Sequence, residues 1–284
     1  MKQLKNKLAL LMATMMLLMG LCGCDNKNAK KDDIPDRVVS CAPNLTEMMY
    51  DLEAGELLVG RSDYCDYPSE ALELPSVGAI DNPNLETIIS LEPDLVIATT
   101  FTDEGIDKLN SAGIDVLVIK DEQDVEGVYN MITELGKAIG KEEVAKKRIS
   151  EMQETIGTVE DKIAGLDKPT VYYVIGYGEY GDYTAGGDTF VGGMLEAAGG
   201  ENVADHISGW NISLEEIIEA DPYIIIISEY MKDDFVKAPH YSELTAVKEG
   251  RVYTMDINML ERQGYRNAEG ILELAKFFYP EEFE

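Results

Sequence analysis

The chain has 284 residues, 45% of them hydrophobic, with 24 Lys and Arg against 54 Asp and Glu and a net charge of −30. Charge of that sign excludes nucleic acid as a partner, and a chain of this length and hydrophobic content buries a large core, best divided between two modest domains. With His206 and His240 as its two histidines, it lacks the several His or Cys ligands that a bare transition-metal ion usually draws on, so no metal site is expected.

Lys2, Lys5 and Lys7 precede an apolar run from Leu8 to Leu21. That run is shorter than the roughly 20 residues that span a bilayer, and it reads as a signal peptide over residues 1–23. Its end, Leu21-Cys22-Gly23-Cys24, is similar to the lipobox of bacterial lipoproteins. An aliphatic residue stands three before Cys24 and a small one just before it, so Cys24 is the expected acylated first residue; Cys22 would leave with the signal. Loss of the three lysines within residues 1–23 takes the charge from −30 to −33. Residues 24–35 are polar and charged without apolar periodicity, as in a flexible tether. The protein is therefore expected on the outer face of a bacterial cell membrane, held by lipid alone, or in the periplasm.

An N-terminal α/β lobe is expected over residues 36–122. Arg37 to Ser40 reads as a strand, Asn44 as the cap of a helix through Met48, Met49 and Leu52, and Leu57–Gly60, Asp94–Ile97 and Asp115–Ile119 as further strands. Almost uniformly apolar strands alternating with helices indicate a parallel sheet buried on both faces. Residues 123–168 change to helical periodicity, with Val128, Ile132, Leu135 and Ile139, then Val144, Ile149, Met152 and Ile156 among charges. This is a connector of two consecutive helices ended by Pro169. A second α/β lobe follows over residues 169–284, opening with a strand at Val171–Ile175.

Two blocks repeat without gaps. Asn84-Leu85-Glu86-Thr87-Ile88-Ile89-Ser90-Leu91-Glu92-Pro93-Asp94-Leu95-Val96-Ile97 aligns with Ser213-Leu214-Glu215-Glu216-Ile217-Ile218-Glu219-Ala220-Asp221-Pro222-Tyr223-Ile224-Ile225-Ile226. Each begins at a capping residue, runs two helical turns, breaks at Pro and enters an apolar strand. Two similar lobes follow from this.

The run Arg37-Val38-Val39-Ser40 with Ala42-Pro43-Asn44-Leu45-Thr46-Glu47, then Asp66-Tyr67-Pro68, Asn84 to Ile97 and Gly199-Gly200-Glu201-Asn202, resembles the substrate-binding proteins of ABC importers for cobalamin, ferric siderophores and haem. The resemblance spans about Arg37 to Pro280. It implies two Rossmann-like lobes with parallel sheets joined by a long rigid helix, a ligand held between the lobes, an importer permease as partner, a metal chelate as cargo, no cofactor of its own and no catalysis. A monomer is expected.

Gly176-Tyr177-Gly178-Glu179-Tyr180-Gly181 satisfies G-x-G-x-x-G, but no helix follows at once, so a dinucleotide site is not expected. Asp188 and Thr189 are the next caps. The loop instead offers Tyr177, Tyr180 and Tyr183 as flat contact faces at the carboxyl edge of a sheet. Trp210 lies just before the second repeat, and in cobalamin-binding relatives an aromatic residue there and a Tyr just ahead of Asp-Tyr-Pro, here Tyr64, contact ligand. Ile80 and Thr99 stand where those relatives can present Trp. Arg262 and Arg266 suit a ligand's carboxylates or phosphate, unless they pair with surface acids. Arg and Tyr serve relatives that bind anionic siderophores or haem in this neighbourhood. No G-x-S-x-G elbow or zinc-ligand spacing appears, so an enzyme reading has no support; an adhesion or signalling domain on a lipid anchor would share the topology but not paired docking acids. Glu86 and Glu215 hold the same second helical position of the two repeats, where relatives engage permease arginines. Cys41 and Cys65, at the ends of adjacent strands, are expected as a disulfide, with two thiols near the cleft as the alternative.

Overall fold

In this computed structural model the described residues are 34–284, of which 35–284 form one compact unit. The expected signal peptide, Cys24 and nearly all of the expected tether lie outside them.

Four short strands, β1 (Val38–Ser40), β2 (Leu58–Arg61), β3 (Leu95–Ala98) and β4 (Asp115–Val118), form a parallel sheet in the order β2-β1-β3-β4. Every residue of β1 and β3 is buried, as continuous apolar composition requires of a strand covered on both faces. Helix α1 (Pro43–Asp51) follows β1. Its cap position is Ala42 and Pro43 opens the helix, so Asn44 lies one position inside instead of capping. Proline's fixed φ suits that first helical position. Helices α2 (Leu85–Ser90) and α3 (Asp103–Ser111) flank β3.

The connector is α4 (Val125–Ala138) and α5 (Glu142–Ile163). The two pack so closely at their junction that a Cβ on Gly136 would come within 2.7 Å of the Ala145 methyl carbon. The 22 residues of α5 span about 33 Å at 1.5 Å per residue. Its buried residues are Ala145, Met152 and Val159, one every seven, which keeps them on one stripe. Ala145 and Met152 belong to the N-terminal core and Val159 to the C-terminal one. One helix thus plugs into both cores.

The second parallel sheet takes the order β10-β9-β5-β7, from β5 (Thr170–Val174), β7 (Glu201–Asn202), β9 (Ile224–Ile227) and β10 (Val252–Thr254). The four isoleucines of β9 are almost completely buried. Each contributes about 1.5–3 kcal/mol. A two-stranded antiparallel ribbon joins β6 (Asp182–Tyr183) to β8 (Asn211–Ile212). Helices α6 (Phe190–Ala197), α7 (Leu214–Ala220), α8 (Glu229–Phe235), α9 (Thr245–Lys248), α10 (Asn258–Glu261) and α11 (Arg266–Phe278) complete this half. Like α5, α11 places Ala268 in the first core and Ile271, Leu274 and Phe278 in the second.

The sequence repeat is a structural one. Asn84 accepts from the Thr87 amide and caps α2, and Ser213 forms a reciprocal capping box with Glu216 on α7. Glu92 and Asp221, aligned one residue before the prolines, both take the left-handed conformation, with φ of 49° and 37°. The strands that follow, β3 and β9, occupy matching interior places in their sheets.

Candidate ligand-binding cleft

Parallel strands deliver their carboxyl ends, and the loops after them, to one edge of each sheet, where open α/β folds bind ligands. A cavity of about 620 Å³ lies among such loops, within the usual size range of small-molecule sites. The N-terminal lobe contributes Asp121 and Glu122 after β4; the C-terminal lobe contributes Ile175 after β5, Asp188 to Val191 at the start of α6, Gly209 and Trp210, and Glu261 with Gln263 beside α10.

Gln263 ties the two lobes together at this point. Its Oε1 accepts from the Glu122 amide at 2.7 Å and its Nε2 donates to the Glu122 carbonyl at 2.7 Å. Asp188 accepts from the Gly209 amide at 2.7 Å and from Ser208 Oγ at 2.5 Å, which holds its carboxyl below the usual range and fixes the loop carrying Trp210. Backbone bonds from Thr184 to the Trp210 carbonyl and from Gly186 to the Gly209 carbonyl reinforce that loop. The Trp210 side chain remains 44% exposed. Glu261 accepts from Tyr173 Oη at 2.9 Å. Burial pushes the Asp121 carboxyl up, opposed by Asn44 Nδ2 at 3.4 Å. The lining therefore carries four carboxylic side chains, two aromatic rings and no Lys or Arg.

Arg262 and Arg266 are both engaged by acids of the protein itself, the alternative weighed against a ligand role for them. Arg266 donates to Glu47 through Nε at 2.8 Å and Nη2 at 3.0 Å, and to Asp256 through Nη1 at 2.8 Å. Arg262 donates to Glu47 at 2.8 Å and Asp66 at 2.7 Å. The Glu47 carboxylate is 6% exposed and Arg266 only 9%. Glu47 sits on α1, so this network clamps one lobe to the other. The guanidinium of Arg266 also lies over the Tyr67 ring, 4.1 Å from its centroid.

The proposed aromatic faces divide. Trp210 lines the cavity. Tyr64 is 58% exposed at the contact between lobes, with its carbonyl 3.5 Å from Arg262 Nη2. Tyr177 instead packs edge-on against Phe235 and Tyr241, with ring centroids 5.0 and 5.3 Å apart, and serves the core. Tyr180 is 86% exposed, and Tyr183 donates to the Tyr180 carbonyl at 3.2 Å. None of these three lines the cavity. Ile80 lines a separate recess with Phe101. The glycine-rich loop folds back as a hairpin, Gly176 pairing with Tyr183, and the next helix, α6, starts only after Thr189, whose side chain accepts from the Gly192 amide.

The expected disulfide is likewise corrected: Cys41 and Cys65 are both free and buried. The Cys65 sulfur is occupied by hydroxyls, Thr46 Oγ1 donating at 3.0 Å and Ser62 Oγ lying at 3.1 Å. Burial, with Cys65 adding, pushes the Cys41 thiol up to about 12. Glu86 and Glu215 are exposed on the first turns of α2 and α7. Asp121, Glu122, Asp188, Glu261, Gln263 and the role of Glu47 are additions from the structure. Position right after β4 was the available signal for Asp121 and Glu122. Among the described residues, no helix is long and apolar enough to cross a membrane, and no group of three or more His, Cys, Asp or Glu could hold a metal ion.

Two parallel-sheet lobes pinned by shared helices around an interlobe cavity define a two-lobed binding protein. The family model described as periplasmic binding protein matches residues 38–258, and the chain belongs to that family. It is 33% identical over 258 residues to the uncharacterised ABC transporter substrate-binding lipoprotein YvrC of Bacillus subtilis, covering 88% of this chain and 82% of the relative. It is 29% identical to a cobalamin-binding protein of Halobacterium salinarum, covering 87% of this chain and 70% of that one. Among solved structures, the periplasmic haem-binding protein RhuT of Roseiflexus in apo form superposes with a TM-score of 0.78 at 25% identity, over 87% of this chain and 99% of that one.

Proposed function

We propose that this protein is the lipid-anchored receptor of an ABC importer, taking a metal chelate from the medium and passing it to the permease, with no catalysis and no cofactor of its own. The observation that carries the reading is the lining of the interlobe cavity: aromatic and apolar faces for a large flat molecule, rimmed by carboxylates and Gln263, with no cation. Carboxylates in a partly desolvated cleft repel a polyanionic ligand and accept hydrogen bonds from a neutral or cationic one. An electroneutral corrinoid with peripheral carboxamides fits that surface better than haem or an anionic siderophore. The relative named for cobalamin binding supports the same choice. In this chain, pairing with Glu47 engages Arg262 and Arg266, the two cations that would have favoured an anionic chelate.

Glu86 and Glu215 are the candidate contacts to permease arginines, because the repeat places one exposed acid at the same turn of each lobe. The helix dipole favours each acid singly but does not require both. The test is corrinoid-dependent growth or labelled cyanocobalamin uptake in a host lacking this chain. Complementation by the wild type and loss of uptake with the E86K/E215K double variant, at unchanged ligand affinity, are expected. Full uptake by that variant rejects the docking role, and failure of the wild type to restore uptake rejects the cargo.

A further inference from the structure

A second recess of about 470 Å³ opens at the carboxyl ends of β9 and β10, walled by Ser228, Glu229, Tyr230, Thr254, Asp256 and Asn258. It adjoins the interlobe cavity through α10, whose first residue, Asn258, lines the recess and whose last, Glu261, lines the cavity. Asp256, on the recess wall, is joined through Arg266 to the clamp between the lobes.

Ser228 marks this recess as more than a surface dent. It occupies the cap position of α8, where a serine hydroxyl ordinarily accepts from a first-turn amide, yet it makes no cap hydrogen bond. Ser228 is 3% exposed, and among the described residues its Oγ has no protein partner. A buried hydroxyl without a protein partner costs the folded chain free energy unless a water or a ligand meets it, which sets Ser228 apart from an ordinary helix cap. Tyr230, 78% exposed, stands beside it as an unsupported aromatic face, next to the exposed carboxylate of Glu229.

We propose that this recess is a second subsite of the cleft, taking a primary carboxamide carried on the periphery of the bound chelate. A carboxamide supplies two N–H donors and an acceptor oxygen, matching a carboxylate that only accepts and hydroxyls that do both. A carboxylate in the same place would face Glu229 and Asp256. The assignment rests on the reading of the protein as a receptor for a neutral, amide-bearing chelate.

Titration calorimetry with cyanocobalamin, and with its monocarboxylic acid derivatives, tests it on the wild type and on S228A and Y230A. A two- to tenfold weaker affinity for cyanocobalamin is expected from S228A, the range for loss of one hydrogen bond. Its ligand-free melting temperature should be unchanged or higher, since the hydroxyl it removes is unpaired. Y230A, altered at an exposed side chain, should also weaken binding, and the wild type should discriminate against at least one monocarboxylic acid. Wild-type binding matched within error by both variants overturns the subsite and leaves the receptor reading standing. A lowered melting temperature for S228A with unchanged affinity overturns it too, by making the hydroxyl structural. No binding of cyanocobalamin by the wild type overturns the receptor reading and the subsite with it.

Discussion

Replacing Glu47 by alanine tests what holds the lobes in register. The carboxylate receives three hydrogen bonds from two guanidinium groups, and all three side chains are nearly out of solvent, at 6% exposure for Glu47, 9% for Arg266 and 16% for Arg262. E47A leaves Arg262 with Asp66, 58% exposed, and Arg266 with Asp256, 46% exposed. Breaking a buried ion pair from one side costs about 3–5 kcal/mol, chiefly because the surviving charge is stranded. The remaining acids keep the loss here near the lower end, about 3 kcal/mol. In a protein of this size that lowers the melting temperature by about 6–12 °C. Urea and thermal unfolding followed by circular dichroism measure it. Because stranding and not lost attraction dominates, E47L/R266M should recover part of the deficit. A loss below about 1 kcal/mol for E47A, or a double variant weaker than the single one, would refute the clamp.

Three further outcomes follow from buried groups and from the docking acids. Asp51 is held at about 7, raised first by burial and then by the charge of Glu47. Its folded-state value lies above that of the unfolded chain, so the native state binds the extra proton and stability falls as pH rises from about 4 to about 7. D51N should flatten that part of a stability-against-pH curve and unfold later than wild type at pH 8; an unchanged slope contradicts the assignment. Cys41 and Cys65 should resist iodoacetamide in the native protein and both react after unfolding without reductant, as peptide mass spectrometry will show; an unlabelled bridged pair contradicts the free thiols. E86K/E215K should melt only a few degrees below the wild type, because both acids are exposed and each gives up about 0.3–1 kcal/mol of helix-dipole stabilisation; a loss of more than about 10 °C would mean that its uptake defect reports on folding.

What could be read from the chain was local or repeated. Capping residues, prolines and apolar strands are encoded within about 14 residues, so the aligned blocks show α2–β3 and α7–β9 as a pair, whereas their matching left-handed turns at Glu92 and Asp221 are visible only in the structure. Trp210 lies just before the second repeat, where relatives carry a ligand-contacting aromatic residue, and its side chain lines the cavity. What could not be read was pairing at a distance. Arg262 and Arg266 stand 215 and 219 residues from Glu47, and no local pattern says which of 54 acids a given arginine will meet. Cys41 and Cys65 were foreseen at neighbouring strand ends, but Thr46 and Ser62, which occupy the sulfur, enter by tertiary packing. Tyr177 shows the same limit: a tyrosine beside glycines reads as a contact face until Phe235 and Tyr241 pack onto it.

The central claim is that a cation-free, carboxylate-rimmed cleft selects a neutral chelate. Titration calorimetry of the purified chain from residue 25 onward with cyanocobalamin, haemin and several ferric siderophores, with Trp210 fluorescence recorded in parallel, measures that selection directly. Binding of cyanocobalamin at micromolar dissociation constant or tighter, with a change in Trp210 emission and at least tenfold preference over haemin, is the predicted result. Tight binding of haemin or an anionic siderophore alongside weak or absent binding of cyanocobalamin would contradict it.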